Sequence, residues 1–137
     1  MNELISASLA GIGPHVVYFA LALVIAALFV AIYVQITPYP ELALIREGNA
    51  AAAISLGGAL VGFALPLAKA VAQSTSILDM LIWSVVAFVA QLIAFYVVRL
   101  FMKDLCTDIK NGRLADAIFL AAVSIAIGLL NAAAMTQ

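Results

Sequence analysis

Four stretches of the chain, at 16–36, 50–72, 80–102 and 114–134, are apolar almost without interruption, and most of the charge falls between them. A helix needs about 20 residues to cross a hydrocarbon core about 30 Å thick, and each stretch meets that length. Because they are apolar on every side rather than at every second residue, they predict helices and not the strands of a barrel. The pattern therefore predicts an all-α integral membrane protein with four transmembrane helices. Little chain is left over, so a single transmembrane domain over 1–137 is expected. The first stretch is read as a retained span, since a signal peptide has a cationic start and a shorter apolar core, and residues 1–16 contain neither Lys nor Arg.

The polar segments repeat. The run IREGNAAAAISL begins at Ile45, and IKNGRLADAIFL begins 64 positions later at Ile109. The same offset pairs Gly48 with Gly112, Ala51 with Ala115, Ile54 with Ile118, Leu56 with Leu120 and, upstream, Leu28 with Leu92. Fixed-period similarity of this kind marks a duplicated unit. The units are two tandem parallel-repeat helical hairpins, covering about 14–73 and about 78–137. An even number of spans returns the chain to its starting side, so the halves share one orientation, related by a pseudo-twofold axis along the membrane normal. Gly48 and Gly112 each follow a short amphipathic stretch, PELALIRE or LCTDIKN. Glycine accepts the left-handed conformation that ends a helix, so each is expected at an elbow where the chain turns back into the membrane.

Charge sets the expected orientation. Arg46, Arg99, Lys103, Lys110 and Arg113 flank the first and third connections, and only Lys69 lies toward the opposite side. Under the positive-inside rule both elbows are cytoplasmic, with both termini periplasmic or extracellular. The composition, 67% hydrophobic and 9% charged, agrees with a lipid-embedded chain, because soluble domains carry about a quarter charged residues. A net charge of −1 with no basic cluster excludes nucleic acid as an expected partner. The single Cys106 precludes an intrachain disulfide or a cysteine-based metal cluster.

Polar residues within the spans are the candidate functional positions, because polar groups in hydrocarbon are costly and face the bundle. Ser55, Gly58, Gly62, Pro66 and Lys69 recur at steps of three or four and share one helix face. Gly58 and Gly62 form the GxxxG pattern that brings helices together in lipid. Gln91 lies near the bilayer centre, and Ser124 is expected at similar depth, so that Gln91 bonds either to it or to a backbone carbonyl. Asn131 continues a stripe with Ser124 and Gly128. This set is either a path or a helix interface. The elbows contribute Arg46, Glu47, Gly48, Arg99, Lys110 and Gly112, as architecture or as a cytoplasmic contact site.

No His- or Cys-based metal spacing, phosphate-binding loop or intramembrane carboxylate pair is present in the sequence. Neither enzymatic activity nor a cofactor or metal is expected. The segment ITPYPELALIREGNAAAAISLGGALVGFALPL, the later QLIAFYVVRLFM and the terminal GLLNAAAMT resemble the YjfL family of small bacterial inner-membrane proteins, a domain-of-unknown-function family. The resemblance implies a four-span inner-membrane protein. Family members are often encoded beside phage-shock-type membrane-associated proteins and ATP-grasp ligases, which implies a role in envelope stress and a peripheral membrane-stress protein as a partner. Two functional expectations follow. One is a small oligomeric channel or transporter, a homo-oligomer in the bilayer; the other is a non-transporting scaffold that recruits a peripheral cytoplasmic partner through its elbows.

Overall fold

The computed structural model describes residues 1–73 and 75–135. Six helices follow in order: α1 (Asn2–Ile36), α2 (Glu41–Arg46), α3 (Ala50–Gln73), α4 (Ile77–Phe101), α5 (Leu105–Lys110) and α6 (Leu114–Ala134). The four long ones are each apolar and long enough to cross a membrane, and no strand occurs among the described residues. Three spans start and stop within a few residues of the apolar runs.

The first span differs. It extends back to Asn2 and runs for 35 residues, about 50 Å at 1.5 Å per residue. The N-terminal segment contains no strong breaker except Pro14, which the helix incorporates. Residues 2–17 are exposed all round, and only Ile25, Phe29 and Tyr33 of α1 are buried. The helix thus touches the rest of the bundle through its C-terminal half.

The centre of the molecule is the packing of α3 on α6, with α4 closing the third side. Gly58 faces the Cα and Cβ of Ala121, and Gly62 faces the carbonyl of Ser124 and the side chain of Gln91. Gly128 in turn lies against the backbone of Gly62. A methyl group at any of the three would overlap these atoms, so the small residues are what allow the two backbones to touch. Aromatic rings join α1 to this core: Phe29 stacks on Phe63 at 4.2 Å between centroids and meets Phe88 edge-on at 5.7 Å.

Both elbows lie at one end, and they close in the same way. In the first, the Gly48 N–H donates to Ile45 O at 3.0 Å and the Asn49 N–H to Leu44 O at 2.9 Å. In the second, the Gly112 N–H donates to Ile109 O at 3.0 Å and the Arg113 N–H to Asp108 O at 2.9 Å. This is the Schellman arrangement, which needs a left-handed residue just past the helix. Gly48 (φ 89°) and Gly112 (φ 80°) supply it as the positive-φ residues of the described chain. The Asn49 side chain fastens the elbows to each other. Its Oδ1 accepts from the Ala52 N–H at 3.0 Å, capping α3, while its Nδ2 donates to Ile109 O at 2.9 Å and Lys110 O at 3.2 Å at the end of α5.

Candidate functional site

The candidate residues separate into a seam and an elbow layer. In the seam, Ser55, Gly58, Gly62 and Pro66 are buried on α3, where they face protein and leave no open lining. Gln91, 1% exposed, donates from Nε2 to the backbone carbonyl of Ser124 at 3.1 Å. Of the two bonds the sequence allows, the one to a carbonyl is made, and the Ser124 hydroxyl has no partner. The Ser55 hydroxyl donates to Ala52 O at 3.1 Å within its own helix. Lys69 and Asn131 lie toward the end away from the elbows, both half-buried. The Nδ2 of Asn131 is without a partner.

Around the elbows, Arg46, Glu47, Arg99 and Lys110 are all exposed. Arg99 lines a shallow hollow with Tyr96, Leu100 and Lys103. Arg113 stands 3.8 Å from the Asp116 carboxylate.

The residue that sequence reasoning passed over is Glu41, the first residue of α2. It is 1% exposed, and neither carboxylate oxygen has a hydrogen-bond partner. An unpaired charge in such a place is strongly disfavoured, so the group moves toward its neutral form. Burial pushes the Glu41 carboxyl up from the usual 4.5 to about 7, against a smaller lowering influence from Thr37. Tyr39 is also buried with its hydroxyl unpartnered. Burial, and then the neighbouring Glu41 charge, hold its phenol far above the usual range. Ser55 stands beside that phenol from α3, and Tyr33 of α1 lies within reach of the Glu41 charge. Cys106 of α5 closes the set, its thiol pushed up by burial and pulled down by Arg99 and Lys110.

Three forces put Glu41 inside. Tyr39 packs on Phe95 at 6.5 Å between centroids. The Glu41 N–H donates back to Tyr39 O at 2.9 Å, and the apolar Leu44 and Ile45 of α2 turn toward the layer formed by Ala51, Phe95, Leu105 and Ile109. One signal in the sequence pointed to it. The 64-residue offset pairs Glu41 with Leu105, which is 0% exposed at the start of α5. A carboxyl therefore occupies, in the first elbow, the position a buried leucine holds in the second.

Four apolar helices with paired elbows at one end define a small polytopic helical membrane protein. Residues 6–135 match the family described as Domain of Unknown Function (DUF350), and the chain belongs to that family. It is 38% identical over 119 residues to the UPF0719 inner membrane protein YjfL of Escherichia coli (strain K12), covering 87% of this chain and 90% of that one. It is 27% identical over 118 residues to the UPF0719 transmembrane protein YshE of Bacillus subtilis (strain 168), covering 85% and 88%. No solved structure matches. The resemblance read from the sequence is thus borne out, and with it a multi-pass inner-membrane protein.

Proposed function

We propose that the protein is a small oligomeric channel or transporter of the bacterial inner membrane, linked to envelope stress, in which the working chemistry lies at the elbows. The observation that carries this reading is the Glu41 carboxyl, buried without a partner where the second elbow has Leu105. A scaffold gains nothing from such a group, whereas a protein that moves a solute needs a group whose partner comes and goes. The tight α3–α6 contact at Gly58, Gly62 and Gly128 argues against a path along the Ser55–Pro66 face. A path between copies, or one entered at the elbow layer, fits better. The long exposed apolar flank of α1 is surface that lipid or a second copy can cover.

The elbows are read as cytoplasmic and the termini as periplasmic or extracellular, on the distribution of Lys and Arg. The matching elbow hydrogen bonds support two tandem parallel hairpins derived from one ancestral unit. The reading is non-enzymatic, with no cofactor and no nucleic acid. A scaffolding role is the second reading, favoured by the exposed Arg46, Glu47 and Lys110 on the elbows. There a peripheral membrane-stress protein would be the partner.

Flux of ions and small solutes through proteoliposomes decides between them. Transport predicts flux with the wild-type chain that is lost in Glu41→Leu. Absence of flux across a broad panel overturns it and favours the scaffold, whose partner binding should then fail in the double variant Arg46→Glu, Lys110→Glu.

A further inference from the structure

We propose that Glu41, with Tyr39 and Thr37 beside it, is a proton-binding site that holds the first elbow closed when occupied. The inference names the ligand of the site on which the transport reading rests.

The geometry carries it. Both oxygens of Glu41 are enclosed without a hydrogen-bond partner, and the one donor beside them is the Thr37 hydroxyl. The polar groups around it are Tyr33 on α1, Thr37 and Tyr39 in the link to α2, Ser55 on α3 beside Tyr39, and Cys106 on α5. None is cationic. The Thr37 hydroxyl bonds to Val34 O at 3.3 Å, and its favourable effect on the charged form of Glu41 is smaller than the cost of burial. Arg99 and Lys110 act on Cys106 from the elbow surface, and the Arg113–Asp116 pair, the salt bridge among the described residues, lies elsewhere. A carboxylate closed off in this way accepts the ligand that needs no coordination shell. One proton converts it into a neutral acid whose O–H can be given to an acceptor such as the unpartnered Tyr39 oxygen.

The second elbow shows what a neutral occupant does. Leu105, buried completely at the corresponding position, packs in the layer with Phe95 and Ile109. Protonated Glu41 matches that neutral state in the first elbow. Loss of the proton leaves a charge in a layer that Asn49 staples to the end of α5. Relief requires water to reach the layer, which loosens α2 and exposes Cys106.

The experiment uses the purified full chain in lipid vesicles without any gradient. Infrared difference spectra are recorded between about pH 5 and about pH 9, a window above ordinary glutamate titration, for wild type, Glu41→Gln and Glu41→Leu. The expected result is one carboxylic-acid carbonyl band in the wild type, titrating at about pH 7 and missing from both variants, with Glu41→Leu folding because Leu105 already serves that role. Alkylation of Cys106 provides the second readout: above the midpoint the wild type should label several-fold faster than Glu41→Gln, and below it equally fast. A band that persists in both variants, or the lack of any wild-type band titrating inside this window, overturns the proposal. So does a midpoint that moves when sodium or potassium replaces an impermeant organic cation, since the site would then bind a metal cation. Equal labelling of Cys106 across the whole window overturns the coupling to the elbow. A titrating Glu41 in a chain without flux would leave the proton site standing and remove the transport reading alone.

Discussion

Glu41 makes the stability of the fold depend on pH in a direction set by its burial. Its carboxyl is raised from 4.5 to about 7 in the folded chain. Below about 4.5 both states hold the proton and there is no penalty. Between 4.5 and about 7 the unfolded chain has released it and the folded chain has not, so stability falls as pH rises, then levels off. The full difference is on the order of 3 kcal/mol. Melting of the detergent-solubilised protein should therefore be highest at the acid end of this window, and Glu41→Gln should flatten the profile. A flat wild-type profile would count against the buried carboxyl. Gln91 contributes differently: its bond to Ser124 O is helix-to-helix adhesion, worth about 0.6 kcal/mol on average in membrane proteins. Gln91→Leu should cost little. The sequence made Gln91 conspicuous, as a polar residue inside an apolar run, and it hid Glu41, because a glutamate beside prolines in a connection reads as exposed. Its burial depends on Tyr39 and α2 folding over the layer, a tertiary effect no local pattern records.

At the scale of helices, two kinds of glycine separate. Gly62 and Gly128 are needed for contact, each built against the backbone or side chains of another helix. Alanine at either should cost about 1–3 kcal/mol through overpacking, read as a lowered melting temperature, while Gly57→Ala should be near neutral because nothing lies within 4 Å of it. Gly48 and Gly112 are needed for conformation. They too have open space around them, but their positive φ makes alanine cost about 1–2 kcal/mol. Asn49→Ala removes a cap and the staple between elbows together, and should lower stability by about 1–2 kcal/mol. The helix ends were largely legible: α6 matches its apolar run, and α3 and α4 differ from theirs by three residues or fewer. The start of α1 was not, since residues 2–15 are polar enough to end a hydrophobic run and hold Pro14, which the helix nevertheless incorporates. The elbow glycines were legible from their repeated position, and the α3 stripe from its spacing. Whether that stripe faced water or another helix depended on Gly128, which lies 66 residues further along the chain than Gly62.

For the whole molecule, α3, α4 and α6 form the stable body and α1 leans on it through Ile25, Phe29 and Tyr33. Deleting residues 2–13 should leave the melting temperature nearly unchanged and weaken the proposed assembly of copies, as followed by mass measurement in detergent. A large loss of stability would show that the N-terminal half of α1 packs more than its exposure indicates. The proposed division of labour between a sealed seam and a working elbow layer can be put to the test by solute flux in proteoliposomes carrying Glu41→Leu or Gln91→Leu at equal folded density. Glu41→Leu should abolish flux and Gln91→Leu should retain most of it. Loss of flux in Gln91→Leu with full flux in Glu41→Leu would contradict this division, and would put the path along the α3–α6 seam instead.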